Sequence, residues 1–175
     1  RVELDFGDGR TARTLRICRG CAVPEDPAVL ARWRAFDLAH GVPRTGGGLG
    51  ALEAWTPQQL SLERLKAYSV RKGCYPGQEI VARTHFLGQA KRGLALFASD
   101  ALPATGTAVT AGDRALGNVV TAAAAAGHGG EGTTSNGHGA LVLAVLPIEG
   151  LEPSTPLTVE GAPLSPLSLL DGLAR

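Results

Sequence analysis

Gly88-Gln89-Ala90-Lys91-Arg92-Gly93-Leu94-Ala95-Leu96-Phe97-Ala98 is the stretch at which the chain changes character. Downstream of Gly88 come short apolar runs at 92–98, 107–110, 115–126, 140–148 and 156–160, separated by Gly, Pro, Asp and Ser. Each run is strand-length and bounded by turn residues, which predicts a small antiparallel β-barrel or sandwich. The Gly-rich residues 127–139 lack apolar periodicity and are expected to form a hairpin tip between two of these strands. A domain boundary is therefore expected near residue 88, with one unit over 1–88 and a β-domain over 89–175. No internal repeat is visible.

Upstream the pattern is mixed α and β, so the fold class is α+β. Val2, Leu4 and Phe6, then Leu15 and Ile17, alternate around Gly7-Asp8-Gly9, which predicts a β-hairpin. Pro24-Glu25-Asp26-Pro27 supplies acids and a proline where a helix can start. Val29, Leu30, Trp33, Phe36 and Leu38, with His40 at the end, follow at helical spacing until Gly41 and Pro43 stop them. Residues 44–50 form a Gly-rich loop, and without Gly-Lys-Ser/Thr it is no phosphate-binding loop. Over 60–70, Leu60, Leu62 and Leu65 suit a short helix or an extended turn equally.

Composition excludes several classes. The chain has 175 residues, 44% hydrophobic and 19% charged, as expected of a globular protein able to bury a core. A net charge of +1 gives no electrostatic footprint for tight nucleic-acid binding. No apolar run approaches the roughly 20 residues of a membrane span, and Arg1-Val2-Glu3-Leu4-Asp5 does not open a signal peptide. Three cysteines cannot all pair with one another, which argues for a reducing compartment, the cytoplasm. Cys18-Arg19-Gly20-Cys21 is half a zinc site or a redox pair between a strand and a helix, and one such pair is weak evidence for either. The histidines are scattered and make no Ser–His–Asp pattern; His85 stands near the motif described next or on the surface.

The motif is Lys72-Gly73-Cys74-Tyr75-Pro76-Gly77-Gln78-Glu79. Gly73 and Gly77 let the backbone turn sharply around Cys74. Lys72 and the start of a following helix both favour a thiolate there. Gln78 and Glu79 bring an amide and a carboxylate whose donors and acceptors suit a flat heterocycle with an amidine edge. That helix is expected to bury Ile80, Val81, Thr84 and Phe86 and to stop at Gly88. Residue chemistry alone leaves Cys74 open between an exposed reactive thiol and a small buried hydrophobe.

Lys-Gly-Cys-Tyr-x-Gly-Gln-Glu followed by Ile80-Val81-Ala82-Arg83 resembles the signature of the YgfZ family, folate-binding proteins related to the aminomethyltransferase (T-protein, GcvT) of glycine cleavage. Trp33 to Pro43 is similar to that family's Trp-led helix ending in Gly-Ile-Pro, and Trp55-Thr56-Pro57-Gln58 to its Phe-x-Pro-Gln segment. Gly88 to Leu94 resembles the start of its last domain, so the likeness covers roughly residues 29–97. It implies that residues 1–88 are the C-terminal part of a GcvT-like folate-binding core, followed by the β-barrel domain, with tetrahydrofolate as cofactor. It also implies a role in assembly or repair of iron–sulfur client proteins, and hence in tRNA modification, without direct nucleic-acid contact. Cys74 would be the essential thiol. Trp33 would stack on the folate, although its spacing by itself favours core packing on a helix face. Lys72, Tyr75, Gln78, Glu79 and Arg83 would complete the folate contacts.

Two departures matter. Ala39 stands where relatives often carry an acid. The family also has a sizeable N-terminal region, whereas this chain starts at Arg1, so a piece of a longer protein with one pocket wall missing is the expectation. The alternative reading is a one-carbon transferase acting on tetrahydrofolate; relatives of that enzyme tend to carry an acid, not a cysteine, at the position of Cys74. A third is a docking module without catalysis, which would leave the setting of Cys74 without a purpose.

Overall fold

The computed structural model describes residues 1–20, 22–44, 55–71, 73–74, 76–88, 90–125, 139–149 and 156–173. The expected hairpin is present. β1 (Val2–Asp5) and β2 (Thr14–Ile17) pair antiparallel, with Val2 opposite Ile17 and Leu4 opposite Leu15. Its turn is longer than Gly7-Asp8-Gly9 alone: the Phe6 amide donates to Arg13 O at 2.7 Å, and Asp8 Oδ1 accepts from the Arg10 and Thr11 amides at 2.9 and 2.6 Å.

The first helix, α1 (Pro27–Ala39), starts and stops where its sequence dictates. Asp26 caps it by accepting from the Ala28 and Val29 amides, and Pro27 occupies the first turn, where its missing N–H costs nothing. At the other end Gly41 adopts φ +63°, a conformation that suits a residue without a Cβ. The last carbonyls find partners: Val42 N donates to Asp37 O at 2.8 Å, and Leu170 N to Ala39 O at 2.8 Å. The Arg64 guanidinium donates to His40 O.

Six strands close into an antiparallel barrel in the order β3-β6-β5-β4-β7-β8. They are β3 (Arg92–Ser99), β4 (Ala108–Ala111), β5 (Arg114–Ala124), β6 (Ala140–Pro147), β7 (Leu157–Val159) and β8 (Ala162–Leu167). The sequence reading stopped short of β8, whose Pro163 and Pro166 interrupt its pattern. The Gly-rich residues 127–138, and loop residues 45–50, lie outside the described residues; the strands expected to flank the former, β5 and β6, do pair.

Two apolar clusters explain why β6 has no polar alternation. Val142, Ala144 and Leu146 join Phe97, Val109, Leu116, Val119, Val159 and Leu164 in one, which draws on every strand and fills the barrel. Leu141, Leu143 and Val145 face the other way and join Ala35 and Leu38 of α1, Leu60, Leu94 and Leu96. A strand covered on both faces reads as a continuous hydrophobic run. In β5 a register shift between Val119 and Thr121 inserts an extra residue, so that Val119 and Ala122, three apart, both serve the first cluster, while Val120 and Ala123 serve the second.

Of the 60–70 stretch, which suits a helix or a turn equally, residues up to 66 belong to a series of turns over 57–66, with Ser61 and Lys66 at φ +52° and +51°. The second helix, α2 (Gln78–Leu87), ends at Gly88 as expected. Its expected apolar face needs correcting. Val81 is buried, but Ile80 and Phe86 are 60% and 68% exposed. The helix touches the rest of the fold along a narrow stripe centred on Val81, too narrow to cover them.

Candidate functional site

The motif runs into α2 through a left-handed glycine. Gly77 is the N-cap at φ +82°, and no side chain caps the first turn. Cys74 is a free, exposed cysteine three residues before that cap, which decides between the two readings of its environment. Lys72 and Tyr75 fall outside the described residues. Gln78 is half-buried. Glu79 and Arg83, one turn apart, form an ion pair at 3.3 Å with side chains 85% and 72% exposed. Such a pair contributes only about 0.3–0.5 kcal/mol, so either group can exchange it for another partner.

Trp33 belongs to a different neighbourhood. The Arg13 guanidinium lies over its ring, 4.1 Å from the centroid, and Phe6 meets it edge-on at 5.8 Å and 61°. Arg13 also covers Phe36 at 4.2 Å and pairs with Asp37, which is wholly buried and also held by Arg44. Trp33 and the described motif residues thus have separate partners: the tryptophan ties α1 to the hairpin, and the Glu79–Arg83 pair lies along α2.

The same seam holds a second polar contact. His40 is buried and stacks on Phe36 at 4.2 Å; its Nδ1 faces Phe36 O at 2.9 Å and its Nε2 faces Asp8 Oδ2 at 3.1 Å. Burial pushes the Asp8 carboxyl up, but the Thr11 and Arg10 amides and the His40 contact outweigh it and hold it below the ordinary value of 3.8.

Sequence reasoning missed Asp37, Arg13 and Arg44 as a unit, because an acid inside an amphipathic helix is expected on the solvent face. It also missed Gln58, Glu63 and Arg64, which the turns of 57–66 bring beside α2. His85 does not meet Cys74 in any described contact; its Nδ1 is 3.9 Å from Glu63 Oε1, and its ring packs edge-on against Phe86 at 4.9 Å. Cys18 is disulfide-bonded, and Cys21 of that Cys-x-x-Cys lies outside the described residues. Among the described residues no group of three or more His, Cys, Asp or Glu side chains is placed to hold a metal, and no helix is long and apolar enough to cross a membrane. No protein-family model matches the chain.

Proposed function

We propose that this protein is a tetrahydrofolate-binding accessory factor for iron–sulfur proteins, acting through Cys74, with residues 1–88 the C-terminal part of a GcvT-like core. The observation that carries the reading is the exposed, unpaired Cys74 in a glycine-flanked turn ahead of α2, within the motif that resembles the YgfZ signature. A structural cysteine would be buried; an exposed one retained in such a turn is accessible for chemistry.

The residues fit a folate in kind. Glu79 carries an accessible carboxylate that can accept the paired N–H donors of a pterin edge, and Arg83 beside it can answer the folate's own carboxylates. Gln78 adds an amide. Trp33, which is half-buried, would supply a ring for stacking. Bound tetrahydrofolate would supply one-carbon or reducing chemistry. The chain's own groups bind and orient it and present the Cys74 thiol at the surface, where an iron–sulfur client or assembly protein can reach it. A cytoplasmic location would keep the Cys74 thiol reduced, and there the Cys18 disulfide would be a reducible pair. Service to tRNA-thiolating enzymes would follow through those clients and needs no contact with nucleic acid.

Complementation tests this. In a strain lacking the gene, Cys74→Ala should accumulate to the wild-type level as folded protein yet fail to restore the activity of an iron–sulfur enzyme that thiolates tRNA. Full restoration by Cys74→Ala would remove the thiol from the account. Turnover of an aminomethyl donor in the presence of tetrahydrofolate would favour the transferase alternative.

A further inference from the structure

Cys18-Arg19-Gly20-Cys21 has no part in the folate reading. The chain holds three cysteines; Cys74 is free and Cys18 is disulfide-bonded, so by count the partner of Cys18 within the chain is Cys21. Arg19 and Gly20 form a turn, with Gly20 at φ +71° and open space where a Cβ would stand. A tight turn of this kind is what cysteines with only two residues between them need in order to bond.

This disulfide fastens no two elements of the fold. Both cysteines belong to the single segment that leads from the end of β2 at Ile17 to the start of α1 at Pro27. Stabilisation by a disulfide grows with the length of the loop it closes, and here only Arg19 and Gly20 lie inside the loop. The hairpin is tied to α1 by other groups: Arg13 against Trp33 and Asp37, and Asp8 against His40. A bond that adds so little to the fold can be made and broken with the fold intact.

The bond is also within reach of a reactant. Every residue of β2 is exposed, as are Arg19, Gly20 and residues 22–29, and Cys18 itself is half-buried. Arg19 sets a positive charge next to Cys18 in the chain, and a neighbouring cation favours the thiolate that leaves when the disulfide is attacked.

We propose that Cys18 and Cys21 are a reversible dithiol–disulfide couple that exchanges electrons with dithiols. One thiolate of the dithiol attacks a sulfur of the pair; the Cys18–Cys21 bond breaks, and the displaced cysteine leaves as a thiolate and takes up a proton. The second thiolate of the dithiol then attacks its own first sulfur. The mixed disulfide breaks, the other cysteine leaves and is protonated, and the dithiol closes to a cyclic disulfide. Two electrons and two protons have passed to the protein, and a cyclic disulfide reverses both steps. The couple works without folate and without Cys74.

The test uses the full chain carrying Cys74→Ala. Its only sulfur atoms are those of Cys18 and Cys21, because the sequence has no Met. Thiols are counted in the native protein equilibrated with mixtures of reduced and oxidised dithiothreitol, and urea unfolding is followed in parallel. The count should rise from none to two as one two-electron couple and return to none when the oxidised form is in excess. The reduced protein should unfold with an unchanged m-value. In the same background, at least one of Cys18→Ser and Cys21→Ser should hold glutathione as a mixed disulfide, seen as the added mass. A pair that opens only in denaturant, a chain that loses its cooperative unfolding on reduction, or glutathione held by neither serine variant would each overturn the proposal. With Cys74 removed and no folate present, each of these outcomes leaves the folate reading where it stands.

Discussion

Replacing Arg13 by Met should be among the most damaging single changes outside the barrel. The Arg13 side chain is only 10% exposed, stacks 4.1 Å from the Trp33 centroid and 4.2 Å from that of Phe36, and pairs with Asp37, whose side chain has no exposure at all. Met preserves the unbranched stem and its apolar contacts but deletes the charge. Removing one partner of a buried ion pair costs about 3–5 kcal/mol, because the other charge stays buried without full compensation. Arg44 still reaches Asp37, but its side chain is 50% exposed and it holds one oxygen only. For a chain of this size each kcal/mol moves Tm by about 2–4 °C, so Arg13→Met should melt roughly 6–20 °C lower. Arg44→Met, at the solvent edge, should cost about 1 kcal/mol. The double change Arg13→Met/Asp37→Leu should regain most of the loss, since an apolar pair of similar volume needs no desolvation of charge. Urea unfolding with unchanged m-values measures all three. A loss below about 1 kcal/mol for Arg13→Met, or equal losses for Arg13→Met and Arg44→Met, would refute the claim that this buried pair fastens the hairpin to α1.

Two further outcomes follow from the same structure. A Cβ on Gly117 would collide with the Val145 carbonyl and the Leu146 side chain inside the barrel, so Gly117→Ala should destabilise by at least about 1–3 kcal/mol in chemical unfolding, whereas Gly73→Ala, where a Cβ meets open space, should be close to neutral. The depressed Asp8 carboxyl contributes stability that is fully present above its ordinary value of 3.8 and lost as pH falls through its lower folded value; unfolding measured against pH should therefore show an acid limb that is shallower in Asp8→Asn.

What was legible in the sequence depended on whether a residue's partners were near it in the chain. α1 could be bounded because Asp26, Pro27, Gly41 and Pro43 act on adjacent backbone. The barrel could be anticipated because strand-length apolar runs alternate with turn residues, and only β8 escaped, since Pro163 and Pro166 read as turn signals yet fit its ladder opposite Thr158 and Phe97. Ile80 and Phe86 misled because helical periodicity shows that a face is apolar, not that something covers it. The role of Asp37 was not legible because its partner Arg13 lies 24 positions away. The exposure of Cys74 was one of two readings that its residues left open, and the fold decides it. The cleft beside α2, lined in part by Gln58, Glu63 and Arg64, was not legible, because segments far apart in the chain build it.

The central claim is that the α2 motif and Trp33 serve a folate. Its most direct measurement is a titration of tetrahydrofolate into the full-length protein carrying Trp55→Phe, followed by Trp33 fluorescence. The account predicts saturable quenching, weakened about tenfold or more by Glu79→Ala through loss of a charge-assisted hydrogen bond. A folded protein that shows no quenching at any tetrahydrofolate concentration would contradict it.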